Sequence, residues 1–213
     1  MEKAIQKLWN SDIEKAWKDA LDHYDELLRD ELTIKVENEL NNINSDDVKN
    51  LSAEEFYDFL YDKYYVWKYT DRRWLSRNRK CLSKYKEDRM SELADIQKKL
   101  FSIEHSDIEK CLKLVTQVYG LGAAGASGLL AILFPEDFGT VDKFVVGILK
   151  ELNYPEFNKY LDKMNPSSLT PKDGVILINI MRDKAEELNK KFNTDFWTPR
   201  KIDMILWSFG RSK

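Results

Sequence analysis

Four of the eight glycines in this 213-residue chain, Gly120, Gly122, Gly125 and Gly128, fall within nine residues. Apolar residues at helical spacing flank them: Ile108, Leu112, Val115 and Val118 before, Ala126, Leu129, Leu130 and Leu133 after. Two such segments joined by Gly120-Leu121-Gly122 make an αα-hairpin with a very short turn. Glycine allows φ > 0 and close backbone approach there, and Leu121 is the apolar plug that ties the turn to a core. The amides of Gly122, Ala123 and Ala124 then open a helix N-terminus, a ready cradle for a phosphate. No acidic side chain lies between Glu109 and Glu136 to repel an anion. A tight connection that binds nothing satisfies the same pattern.

The rest of the chain reads as all-α, with no sustained period-2 alternation, no internal repeat and no low-complexity tract. Ser11-Asp12-Ile13-Glu14 has the form of a capping box. It predicts a long helix to about residue 41, with Ile13, Trp17, Tyr24 and Leu28 on its apolar face. Residues 41–50 are polar and read as a loop. A second box, Ser52 to Glu55, opens a short helix that breaks near 67–70, and Thr70 or Asp71 caps the next. Residues 84–102 read as helix. A third box, Ser106 to Glu109, opens the hairpin. Thr140 is expected to cap a helix carrying Asp142, Phe144, Val145, Ile148 and Leu149. Pro155 and Pro166 bracket a short helix. Thr170-Pro171 starts one that runs to about 189, and Thr198-Pro199 starts the last, with Gly210 as its stop. The expected organisation is one unit, 1–213, with a possible lobe division into 1–105 and 106–213.

Hydrophobic content of 43% and charge content of 33% describe a globular class. No apolar run is long enough to span a bilayer, and the N-terminus lacks a signal-peptide pattern, so a cytoplasmic protein without a membrane partner is expected. Cys81 and Cys111 have no metal-ligand spacing and form no disulfide framework, so no metal or other cofactor is expected. The net charge of −3 conceals an uneven distribution. Residues 1–62 carry 17 acids and 7 bases, residues 63–89 carry 3 and 10, and the remainder balances. One concentrated basic segment suggests a local anionic partner.

The turn, the apolar helix after it, the Phe134-Pro135 to Phe138-Gly139 linker and Val141-Asp142-Lys143-Phe144-Val145 together resemble the helix–hairpin–helix DNA glycosylase superfamily. The match covers roughly residues 107–150. A wider similarity, to bacterial proteins of the 8-oxoguanine glycosylase branch, would add the segment from Phe196-Trp197 to Trp207. The resemblance implies the glycosylase helical fold, with Asp142 as the catalytic carboxylate and DNA as partner. N-glycosidic cleavage passes through a cationic sugar that a carboxylate can stabilise. An acid decorating the first turn of a helix is the plain alternative for Asp142. Bifunctional members carry a lysine nucleophile two residues after the second glycine, and Ala124 stands there. Hydrolysis without lyase activity is therefore expected. Lys143 points about 100° around a helix from Asp142 and should not face the same sugar.

Within the basic segment, Arg72, Arg73, Arg77 and Arg79 are candidate phosphate contacts. Tyr64, Tyr65, Trp67, Tyr69, Trp74 and Tyr85 either stack on bases or point inward as core. In the fold that the resemblance implies, the C-terminal helices return to a pocket for a flipped base. Trp207 and Asp203, at i and i+4, are the candidates there, though Asp203 can equally pair with Lys201 or Arg200. Phe209 reads as core, and His23 and His105 as surface. The expected activity is a monofunctional DNA glycosylase. A DNA-binding module without catalysis and a nucleoside-level N-glycosidase are the alternatives, and the sequence specifies no oligomeric state.

Overall fold

Helix boundaries in the computed structural model, which describes residues 4–28 and 31–211, follow from local capping chemistry. Helices are the regular secondary structure of the described residues, with no strand among them. The first helices are α1 (Ala4–Trp9), α2 (Glu14–Glu26), α3 (Glu31–Asn41) and α4 (Ser45–Lys49). The expected long helix from 13 to 41 is thus α2 and α3. Ser11 is not its cap: its hydroxyl accepts from the Ile13 amide at 3.2 Å, and α2 starts at Glu14. Ile13 is 64% exposed, off the apolar face assigned to it. The polar stretch 41–50 contains α4, because the Asn44 side chain accepts from the Asp46 amide and starts a turn.

The Ser52 capping box forms as expected and opens α5 (Ala53–Asp58). A π-helical stretch, Phe59–Tyr64, continues into α6 (Tyr65–Lys68). Asp71 caps α7 (Arg72–Leu82). A 3₁₀ turn at Ser83–Lys86 and Asp88 at φ +59° interrupt the helix expected over 84–102, leaving α8 (Met90–Leu100). Asp107, not Ser106, caps α9 (Ile108–Val115), accepting from the Lys110 amide. The second hairpin helix is α10 (Ala123–Leu133), and α11 (Lys143–Leu152) follows it.

The last three helices are α12 (Pro155–Leu161), α13 (Pro171–Phe192) and α14 (Pro199–Arg211). The Thr170 box forms with Asp173. Gly210 does not stop α14 but lies inside it. A Cβ there would sit 2.7 Å from the Phe144 Cβ, so the missing side chain lets α14 approach α11 closely.

One continuous apolar core joins the helices. α1 lies against α11, and α2 against α14, so the two ends of the chain pack together. α9 and α10 pack on each other and on α13, while α5 and α8 form a separate contact beside α9. None of the helices is long and apolar enough to cross a membrane, among the described residues.

Candidate functional site

The hairpin turn forms where the glycines predict it. Gly120 adopts φ +93°, and Leu121 is buried. Gly122 is the N-cap of α10 in an extended conformation, with φ −89° and ψ −173°. A Cβ on Gly122 would meet nothing within 4 Å. A Cβ on Gly120 would lie 2.9 Å from the Asn78 carbonyl oxygen of α7. The turn therefore abuts the basic helix on one side and is open on the other.

The tyrosines of the basic segment hold this turn. Tyr69 Oη donates to the Gly120 carbonyl at 2.9 Å and Tyr65 Oη to that of Tyr119 at 2.6 Å. Tyr64 Oη donates to the Gly125 carbonyl. Tyr85 Oη donates to Gln117 and accepts from the Tyr119 amide. Tyr64, Tyr65 and Tyr85 are fully buried, so they do not stack on bases. Tyr65, Tyr69 and Tyr85 satisfy carbonyls that a turn leaves without helical partners, while the Gly125 carbonyl that Tyr64 meets lies inside α10. Trp67 is tied by its indole N–H to Glu37. Only Trp74 among the six aromatics is well exposed, at 52%, with the Arg77 guanidinium 5.3 Å from its ring.

The four arginines separate into two kinds. Arg72, Arg73 and Arg77 are exposed on α7, beside the hairpin. Arg73 pairs locally with Asp71 at 2.9 Å. Arg79 is folded back: its Nε donates to the Tyr61 carbonyl at 2.9 Å, and its guanidinium stacks 4.2 Å from the Tyr61 ring. Arg79 is committed to the fold.

Thr140 was expected to cap α11, but the cap is Asp142. Asp142 Oδ1 accepts from the Phe144 amide at 2.8 Å and from Val145 at 3.0 Å. Two distant elements fix the segment leading to it. The Val141 amide donates to Ser127 Oγ on α10 at 2.9 Å. The Thr140 amide donates to Asp203 Oδ2 on α14 at 2.6 Å. The Thr140 hydroxyl is buried and has no hydrogen-bond partner among the described residues.

Asp142 lines a cavity of about 340 Å³ with Tyr24, Lys68, Arg200, Asp203 and Trp207 among its walls. That volume is within the range of small-ligand clefts, roughly 300–1,000 Å³. Trp207, partly buried, packs edge-on against Tyr24 at 5.3 Å and Phe144 at 6.3 Å. Lys143 lies on the same cavity, with its Nζ 5.0 Å from the Phe144 ring. Lys143 and Asp142 therefore share the cavity, which the 100° argument did not anticipate.

A buried ionic cluster forms the floor. Arg200 Nη1 donates to Asp203 Oδ1 at 2.7 Å, and Nη2 to Glu37 Oε1 at 2.8 Å. Burial pushes the Asp203 carboxyl up to about 6, against the opposing pull of Arg200. Burial alone would lower the Arg200 guanidinium, but Asp203, Tyr24 and Glu37 together hold it raised. Both Asp203 oxygens are engaged, and the pairing partner is Arg200 rather than Lys201, whose ammonium donates to the Phe196 carbonyl.

Sequence reasoning did not identify Lys68, Glu37 or Arg200 as cavity residues. Their sequence signals were weak, because they come from three different helices, α6, α3 and α14, far apart in the chain. His105 is not a free surface residue: its Nδ1 lies 2.6 Å from Asp137, and its ring packs 4.1 Å from Phe134. That pairing secures the linker after α10. No protein-family model matches the chain, and no similar curated protein or solved structure is found.

Proposed function

We propose that this chain is a DNA-binding N-glycosylase of the helix–hairpin–helix kind, cleaving the bond between deoxyribose and a damaged or modified base. The observation that carries the reading is the Asp142 carboxylate. One oxygen is fixed by two amides, and the side chain lines a cavity that also offers aromatic and polar surface. A carboxylate so held can stabilise a cationic sugar without reorganising during the reaction. The exposed arginines of α7 and the open amide end of α10 lie on adjoining elements and suit a phosphate backbone. An extruded base would enter the cavity beside Trp207.

The test is base release from a panel of duplex and single-stranded oligonucleotides, each carrying one modified base, with hot alkali to reveal abasic sites. Asp142→Asn is the informative variant. Asparagine caps helices as well as aspartate does, so α11 stays intact while the charge is lost. Excision should fall by about 10²–10³, the usual cost of one transition-state electrostatic contact. Turnover near that of the wild type would remove Asp142 from the chemistry. Because capping by itself accounts for an aspartate here, a DNA-binding module without catalysis is the second reading. It gives DNA binding by the wild type and release of no base from the panel.

A further inference from the structure

α7 opens a run, residues 72–86, that holds seven bases and no acid. Leu75, Asn78, Arg79 and Leu82 turn toward the protein, which leaves Arg72, Arg73, Trp74, Ser76, Arg77 and Lys80 on the outer face. Trp74 stands at one edge of that face. Asn78, one turn further along on the same side, is the residue whose carbonyl oxygen would lie 2.9 Å from a Cβ on Gly120. The indole therefore borders the hairpin turn, which is open at Gly122. Trp74 is 52% exposed, and among the described residues its ring meets only the Arg77 guanidinium, at 5.3 Å. Arg77 in turn has no acidic partner among the described residues. Neither side chain is spent on the core. On the opposite flank of α7 a groove of about 380 Å³ is lined by Tyr61, Arg72, Ser76 and Lys80.

We propose that Trp74 and Arg77 form a stacking platform for an unpaired base, and that α7 binds single-stranded DNA laid across it. The proposal rests on the DNA partner of the reading above but not on base excision. It adds a site outside the Asp142 cavity, since no residue of α7 lines that cavity.

In a duplex the bases stack on one another and present only edges and phosphates to a protein. A flat ring on a convex helix reaches no base face there. In a single strand the faces are free, and an aromatic side chain can cover one whatever the base. Arg77 lies over the indole, so it strengthens the pair as a cation on a π-face and stands beside the phosphate of the stacked nucleotide. From Trp74 the strand crosses Arg77 toward Arg72 and Lys80 at the far groove. The occupant is a nucleic acid strand and not an acidic peptide, because acidic side chains match only the cations, whereas an unpaired nucleotide matches both the cations and the exposed indole.

The experiment titrates the full chain with labelled oligothymidylate and with an unmodified duplex of equal length across a salt series, reading anisotropy and tryptophan fluorescence. Trp74→Ala should weaken single-strand binding roughly 5- to 150-fold, the weight of one stacked base, and leave duplex binding unchanged. Its log–log salt slope should match the wild type, because it removes no phosphate contact, whereas Arg77→Gln should lower the single-strand slope by about 0.7. Trp74→Phe, which keeps a π-face, should retain most of the affinity and lose the fluorescence quenching that oligothymidylate causes in the wild type. Trp74→Leu, which keeps apolar bulk alone, should bind like Trp74→Ala. Thermal melting of each variant accompanies the titrations, and the wild-type quenching with its loss in Trp74→Phe decides the matter even if the alanine variant melts early. Equal losses on single strand and duplex overturn the proposal, as do an unchanged single-strand affinity in Trp74→Ala and failure of the wild type to bind oligothymidylate. Tighter binding of oligouridylate than of oligothymidylate assigns the platform to RNA and overturns it too. Base release from the oligonucleotide panel with no role for Trp74 leaves the glycosylase reading standing and removes the platform. Trp74-dependent single-strand binding without release of any base does the reverse.

Discussion

The two glycines of the hairpin should respond to substitution with opposite signs, although they are two residues apart. Gly120 has φ +93°, and an added Cβ would sit 2.9 Å from the Asn78 carbonyl oxygen. A left-handed conformation costs a non-glycine residue roughly 1–2 kcal/mol, and the contact with a backbone oxygen adds to it. Gly120→Ala should therefore lower the melting temperature by about 2–8 °C, taking about 2–4 °C per kcal/mol for a chain this size. Gly122 is different: φ is −89°, ψ is −173°, and the space around it is open. Serine suits that N-cap conformation and can accept from an amide of the first turn, a few tenths of a kcal/mol better than glycine. Replacing glycine also reduces unfolded-state entropy, worth about 0.4–1 kcal/mol. Gly122→Ser should thus melt at or above the wild-type temperature, yet weaken DNA binding, because its hydroxyl occupies the amides that a phosphate would use. Paired thermal melts and binding titrations on abasic duplex DNA give the result. If Gly122→Ser folds well and binds DNA like the wild type, the hairpin is a structural turn and phosphate capture there is wrong. If Gly120→Ala melts unchanged, the account of the Gly120–Asn78 contact is wrong.

Converting Arg72, Arg73 and Arg77 to glutamine should flatten the log–log salt dependence of DNA affinity by about 0.9 per lost phosphate contact. Arg79→Gln should leave that slope alone, since Arg79 is bound to Tyr61 and Asp62; a change equal to the others would show that it is free. Arg200→Met should destabilise the fold by about 3–5 kcal/mol, because it strands Glu37 and Asp203 as buried, unpaired carboxylates. Urea unfolding measures this, and adding Glu37→Gln in the same background should recover part of the loss. The Asp203 carboxyl has a native pKa near 6 against 3.8 in the unfolded chain. Its contribution to stability is therefore fully present below about pH 4 and is lost as pH rises through 6. Asp203→Asn should remove that component of the pH profile, so an unchanged slope between pH 4 and 6 contradicts the assignment.

What was legible in the sequence was the periodic and the local. The hairpin, the Ser52 and Thr170 boxes and the proline starts of α12, α13 and α14 each depend on residues a few positions apart, and each forms. The misplaced caps share one form, the assumption that the first eligible side chain caps a helix. At residues 11, 106 and 140 a later residue begins the helix. Thr140 is the clear case: its amide goes to Asp203, 63 positions away, and the cap passes to Asp142. The aromatics of the basic segment could not be divided into core and surface by spacing. Their hydroxyls answer carbonyls of residues 117–125, which lie more than 30 positions away for every pair. The cavity was hidden for the same reason, its walls coming from α2, α3, α6, α11 and α14.

The chemistry of those hydroxyls also explains why basic surface, hairpin and cavity stand together. A two-glycine turn leaves carbonyl groups that neither hairpin helix can satisfy. From the helical run around Lys68, Tyr65 and Tyr69 satisfy two of them, at Tyr119 and Gly120, and Tyr64 bonds the Gly125 carbonyl inside α10. That run leads directly into α7, which therefore must lie against Gly120, with Arg72, Arg73 and Arg77 outward. The same three tyrosines fix the end of α6 over α10, where Gly128 gives Lys68 its path. Ser127, the residue beside it on α10, holds the Val141 amide just before Asp142. One short helix thus sets the position of a cationic surface relative to the turn, and of an amine relative to a carboxylate. Loosening it, for example by Tyr65→Phe together with Tyr69→Phe, perturbs both at once, whereas changes at Arg72 or Trp207 reach only one.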